Sequence, residues 1–114
     1  MDTQELDSPA CQETSSLLSQ SETERLLRGV PDWNLKTYGI QTIYKVFHFN
    51  SFKENIAFIN EIAKAAESEK HHPGFHVSYK DLTVELTTHS ANGLSVKDFL
   101  MATRIDNLHK TRRP

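Results

Sequence analysis

FHVSYKDLTVELTT, residues 75–88, alternates apolar and polar side chains on both sides of Lys80-Asp81. Alternation at a period of two marks a half-buried strand. The stretch therefore predicts two strands, Phe75–Tyr79 and Leu82–Thr88, folded into an antiparallel hairpin. In a hairpin the numbers of opposed residues have a constant sum. Centring the turn on Lys80-Asp81 makes that sum 161 and pairs Tyr79 with Leu82, Val77 with Val84 and Phe75 with Leu86, all apolar. The opposite face pairs Ser78 with Thr83 and His76 with Glu85, both polar. A slip by one residue would mix the two faces, so the pattern specifies which of them is buried. Lys-Asp is not a favoured two-residue turn. A longer loop about the same centre keeps the pairing.

On the N-terminal side, Ser51-Phe52-Lys53-Glu54 has the S-x-x-E spacing of a capping box, and the helix behind it is expected to reach about Glu69. Phe52, Ile56, Ile59, Ala63 and Ala66 share one helical face, and Phe58, Ile62 and Ala65 make a second apolar stripe beside it. The combined surface is wider than one sheet contact needs, which in so small a domain predicts contact with a partner subunit. Trp33–Tyr38 and Ile43–Phe49 are dominated by aromatic and β-branched residues and predict two further strands about Gly39. Ser19 to Glu22 is another capping box, starting a helix to Arg28 that Gly29 and Pro31 stop.

On the C-terminal side, Ser90–Gly93 reads as a turn. Ser95 as N-cap, Asp98 at N3 and the staple pair Leu94 and Phe99 then start a last helix that runs to about Leu108. The order α-β-β-α-β-β-α predicts an α+β fold, a four-stranded antiparallel sheet with three helices packed on one face. Residues 17–108 form this domain. Before it, residues 1–16 are a polar, acidic leader expected to be disordered; after it, residues 109–114 are a basic tail.

A chain of 114 residues suits one domain with a modest core. Its formal net charge of −2 argues against binding a phosphate backbone, so no direct nucleic-acid binding is expected. Cys11 is the single cysteine, which excludes an internal disulfide and a Cys-rich zinc site. No apolar run approaches the roughly 20 residues that span a membrane, and the acidic N-terminus lacks the basic and apolar regions of a targeting peptide. The cytoplasm is the expected location, with the nucleus as a second.

Three of the six histidines fall in EKHHPGFH, residues 69–76, and His89 follows. If the hairpin keeps its register to its open end, His72 and His89 face each other, since they too sum to 161. His71 is their neighbour, Glu67 lies about one helical turn before His71, and Asp98 follows His89 across a short loop. The pattern thus gathers Glu67, His71, His72, His89 and Asp98 at one end of the sheet. Such a group suits proton transfer, because imidazole both donates and accepts near neutral pH. Two other readings stand beside it. Three histidines and a carboxylate could ligate zinc, although the helical spacing of H-E-x-x-H is absent. Alternatively the histidines end strands and bond to backbone, and Asp98 sits at N3 only for the helix dipole. No Cys or Ser sits beside a His in a recognisable motif, so the sequence makes no case for covalent catalysis. His48, His76 and His109 read as ordinary surface residues.

Glu67-x-x-x-His71-His72-Pro73, the aromatic Tyr79 and TVELTTHSANGLSVKDF with His89 and Asp98 closely resemble the pterin-4a-carbinolamine dehydratases. Trp33 and YKVFHF fit the first hairpin of the same family, and the resemblance runs from about Leu17 to Leu108. One position departs: Lys97 stands where many members carry Arg, which keeps the charge and loses the fork geometry. The resemblance implies a hydro-lyase that dehydrates 4a-hydroxytetrahydropterin to quinonoid dihydropterin, recycling tetrahydrobiopterin without a metal or a cofactor. It implies His71, His72 and His89 as catalytic residues, with Glu67, Asp98 and Lys97 binding substrate. In that scheme His71 and His89 act as acid and base, His72 positions the ring, Glu67 binds the polar pterin edge and Asp98 orients an imidazole. It also implies a homo-oligomer, dimer or tetramer, through helix 51–69. A second function follows from the same resemblance: a dimerisation cofactor for a transcription factor.

Overall fold

The structure, a computed structural model, describes residues 16–112. Ser19 accepts from the Glu22 amide and Glu22 Oε1 accepts from the Ser19 amide, so the first capping box is complete and starts α1, Gln20–Leu27. Strands β1, Asn34–Lys36, and β2, Thr42–His48, follow. Helix α2, Phe52–Glu69, has Ser51 as N-cap, with its hydroxyl accepting from the Glu54 amide. Strands β3, Gly74–Ser78, and β4, Asp81–Leu86, lead to a single 3-10 turn at His89–Ala91 and then to α3, Val96–Thr111. Ser95 and Asp98 close the second complete capping box at the start of α3. Among the described residues the fold is the expected α+β arrangement of three helices and four antiparallel strands.

The strand order is β1-β2-β4-β3, so β4 fills the space between β2 and the edge strand β3. Ile43 and Phe47 of β2 and Leu82, Val84 and Leu86 of β4 point to one side and are buried. Phe58, Ile62, Ala65 and Ala66 of α2 cover them, with Phe99, Met101, Ala102 and Ile105 of α3 and Leu26, Val30 and Trp33 from the N-terminal segment. The other sheet face carries Tyr44, Val46, His48, Asp81, Thr83 and Glu85 and is partly or fully exposed.

The hairpin register differs from the expected one. Phe75 opposes Val84, His76 opposes Thr83, Val77 opposes Leu82 and Ser78 opposes Asp81, a constant sum of 159 in place of 161. The turn is Tyr79-Lys80, with Tyr79 in the left-handed region at φ 56°. Two contacts explain the shift. The buried Asn55 side chain of α2 donates to the carbonyls of Tyr79 and Asp81, at 2.9 and 3.0 Å, and fixes the turn from the core side. Across the sheet, His48 Nδ1 lies 2.6 Å from Asp81 Oδ1, which needs Asp81 in the strand opposite His48. A shift of two in the sum moves one strand two residues past the other and leaves every side chain on its own face. The hydrophobic pattern therefore could not separate the two registers.

The helix stripes also divide differently. The Phe58-Ile62-Ala65 stripe enters the core, while Phe52 stays 50% exposed and Ile56 36% exposed on the outer side. His109 is the other correction. It is not a free surface residue: its ring packs 5.0 Å from Phe47 and 5.5 Å from Phe58, centroid to centroid. Helix α3 thus continues through the first residues of the expected tail, and the Arg112 guanidinium sits over Phe49 and Phe58. Residues 1–15 of the expected leader lie outside the described residues.

Candidate active site

Helix α2 ends at Glu69, and Lys70 takes the left-handed conformation at φ 54°, which turns the chain sharply. The His71 amide donates back to the Ala66 carbonyl, and this closes the helix end. The turn drives His71 inward, to 9% exposure, while His72 stays exposed. Adjacent side chains thereby point opposite ways, as in any extended segment.

His71 meets the start of α3. Its Nε2 lies 2.6 Å from Asp98 Oδ1, and Asp98 is fully buried. The second carboxylate oxygen, Oδ2, accepts from the Ser95 amide at 2.9 Å and from the Thr88 hydroxyl at 2.8 Å. The Thr88 and Ser95 hydroxyls are 2.6 Å apart, and both residues are buried. Every Asp98 oxygen therefore has a partner, as a buried carboxylate requires. Asp98 does two things with one side chain: it caps α3 and it holds an imidazole.

His72 Nε2 lies 3.4 Å from Glu67 Oε1, an exposed pair on the flank of the same turn. His89 opens the 3-10 turn directly after Thr88, and it is exposed. The Thr88–Gly93 bridge and left-handed Asn92 close this turn tightly. His72 and His89 do not face each other across an extended ladder. Strand β3 begins at Gly74, β4 ends at Leu86, and the shifted register removes their opposition. The observed constant of 159 relates His71 to Thr88, and both of these bind Asp98. Lys97 uses its backbone amide to donate to Ser95 Oγ at the helix start.

The structure thus joins His71 to Asp98 and His72 to Glu67, and Thr88, the residue before His89, binds Asp98. Sequence reasoning missed Thr88 and, beyond its N-cap role, Ser95. The signal was present: a Thr directly before His89, and a Ser three residues before the acidic N3. Among the described residues no group of three or more His, Cys, Asp or Glu converges as metal ligands would. A groove of about 410 Å³ lies away from these residues, against Glu69, Leu100, Arg104 and Leu108. No helix among the described residues is long and apolar enough to cross a membrane.

A four-stranded antiparallel sheet backed by three helices, with a buried His–carboxylate pair at one end, defines the protein as a small α+β domain. Within that class the assignment is direct. The family model described as pterin 4 alpha carbinolamine dehydratase matches residues 16–108, and the chain belongs to that family. A solved structure described as a transcriptional coactivator/pterin dehydratase from Brucella melitensis is similar, with a TM-score of 0.75 and 31% identity. That match covers 80% of this chain and 96% of the other. A pterin dehydratase-like protein described as a RuBisCO assembly factor in the alpha-carboxysome shares the fold, with a TM-score of 0.60 and 20% identity over 71% of this chain and 93% of the other.

Proposed function

We propose that the protein dehydrates 4a-hydroxytetrahydropterin to quinonoid dihydropterin and water, and so recycles tetrahydrobiopterin by histidine acid/base catalysis. The observation that carries this reading is the His71–Asp98 pair, a buried carboxylate on one nitrogen of a nearly buried imidazole, in a chain of this family. An acid delivers a proton to the 4a-oxygen, the C4a–O bond breaks and water leaves. A base then takes a proton from a pterin ring nitrogen, and the sum is loss of one water. His71 and His89 carry these two transfers. His72 and Glu67 hold the polar edge of the ring, and Lys97 adds a cation at the mouth of the site. An acid or base at such a step contributes roughly 10²–10⁴-fold.

The test is the dehydration rate, measured with a chelator present, for the wild type and for His71→Ala, His72→Ala and His89→Ala. Activity that survives chelation and falls by at least roughly 10²-fold in His71→Ala and His89→Ala supports the reading. Full activity in both of these variants would refute the assignment. An inactive wild type would refute the function itself.

The exposed stripe of α2, with Phe52 and Ile56, supports a second reading in which this face meets another helix. A second copy of the chain is the first occupant to test. Binding to a transcription factor follows only by analogy with the coactivator named in the Brucella structure.

A further inference from the structure

We infer that Thr88 is a positioning residue: its hydroxyl, fed by Ser95, sets the orientation of Asp98 and through it which ring nitrogen of His71 carries the proton. The inference rests on the dehydratase reading for its catalytic part and on geometry alone for the rest.

Counting protons orders the chain of bonds. A threonine hydroxyl has one proton to give, and the Thr88 hydroxyl gives it to Asp98 Oδ2 at 2.8 Å. At the 2.6 Å contact between the Thr88 and Ser95 hydroxyls, the donor must then be Ser95. Ser95 Oγ in turn accepts from the Lys97 amide at 3.3 Å. The order runs from the Lys97 amide to Ser95, from Ser95 to Thr88 and from Thr88 to Asp98. With Oδ2 occupied by Thr88 and the Ser95 amide, Oδ1 is left for His71. An ionised carboxylate only accepts, so His71 carries its proton on Nε2 and leaves Nδ1 as the nitrogen that exchanges. Thr88, Ser95 and Asp98 are all buried, so water does not compete for these bonds.

The consequence is specific. The Thr88 hydroxyl holds Oδ2 of Asp98, and without it the carboxylate is free to turn and loosen its hold on the His71 Nε2–H. Thr88→Val keeps the shape and removes the donor. It is expected to shift the His71 ring-nitrogen signals, which report the tautomer, in nitrogen-15 NMR. It is also expected to lower kcat about 10- to 100-fold with KM nearly constant. Thr88→Ser restores the hydroxyl and is expected to return both readouts towards the wild type. Ser95→Ala removes the donor into Thr88 and is expected to move the ring-nitrogen signals the same way by less, which keeps the test open if Thr88→Val does not fold. Unmoved His71 ring-nitrogen signals in the folded variants, a change that Thr88→Ser does not reverse, or moved signals with normal kcat overturns the inference. The NMR readout needs no substrate, so an inactive wild type would remove the dehydratase reading while this arm still decides whether Thr88 governs His71.

Discussion

At the scale of single residues, the site turns on which histidine is buried. His71 and His72 are identical in sequence terms, yet one is locked to Asp98 and the other faces solvent beside Glu67. Asp98→Asn keeps an oxygen for the helix cap but removes the carboxylate that holds the His71 Nε2–H. We expect kcat to fall by roughly 10²-fold with little change in folding, compared by kinetics and by thermal melting. His109 makes a different prediction. Burial first, then Lys45 and Arg112, hold its pKa below the usual histidine value, against the opposite pull of Asp106. The unfolded chain then binds this proton more readily than the folded one. The resulting loss of stability is absent well above the unfolded value of about 6.5 and grows as pH falls through it. Denaturant midpoints compared at pH 7.5 and 5.5 should drop for the wild type and drop less for His109→Gln.

At the scale of elements, capping was legible and register was not. Ser19-Glu22 and Ser95-Asp98 form complete boxes because N-cap chemistry is local, acting over three residues. The hairpin turn is set from outside the hairpin, by Asn55 on α2. Asn55→Ala leaves the Tyr79 and Asp81 carbonyls without their donor and should cost about 1–3 kcal/mol in a denaturation experiment. Tyr79 adopts a left-handed backbone, which is strained for a residue with a side chain, so the two Asn55 bonds hold this turn against a local cost.

At the scale of the whole molecule, cross-links between distant segments hold the layers in place. The Trp33 indole and Lys45 both donate to Asp106, tying the N-terminal segment and β2 to α3. Arg104 of α3 pairs with Glu69 of α2 and ties the two helices together. Among the exposed apolar residues are Phe52 and Ile56 on the outer stripe of α2 and Phe75 and Val77 on the edge strand β3. If that helix stripe meets a second copy, Ile56→Glu should shift the mass in sedimentation from an oligomer to the monomer, with the fold kept by circular dichroism. An unchanged mass would remove α2 as the contact.

The sequence by itself determined the element order, the helix starts and the buried face of β4, while β3, whose apolar residues read the same way, stays exposed along its whole length. Those features depend on local hydrogen bonding and on periods of two or 3.6 residues, which a chain carries along its length. Only the tertiary structure decided the register of β3 on β4, which apolar stripe of α2 enters the core, the burial of His109, and the choice of His71 over His72 as the partner of Asp98. Each of these depends on a contact between residues far apart in the chain: Asn55 on the hairpin turn, Phe47 and Phe58 on His109, Asp98 on His71. Thr88 belongs with them, because only the meeting of the turn after β4 with the first residues of α3 gives its hydroxyl a carboxylate to bind.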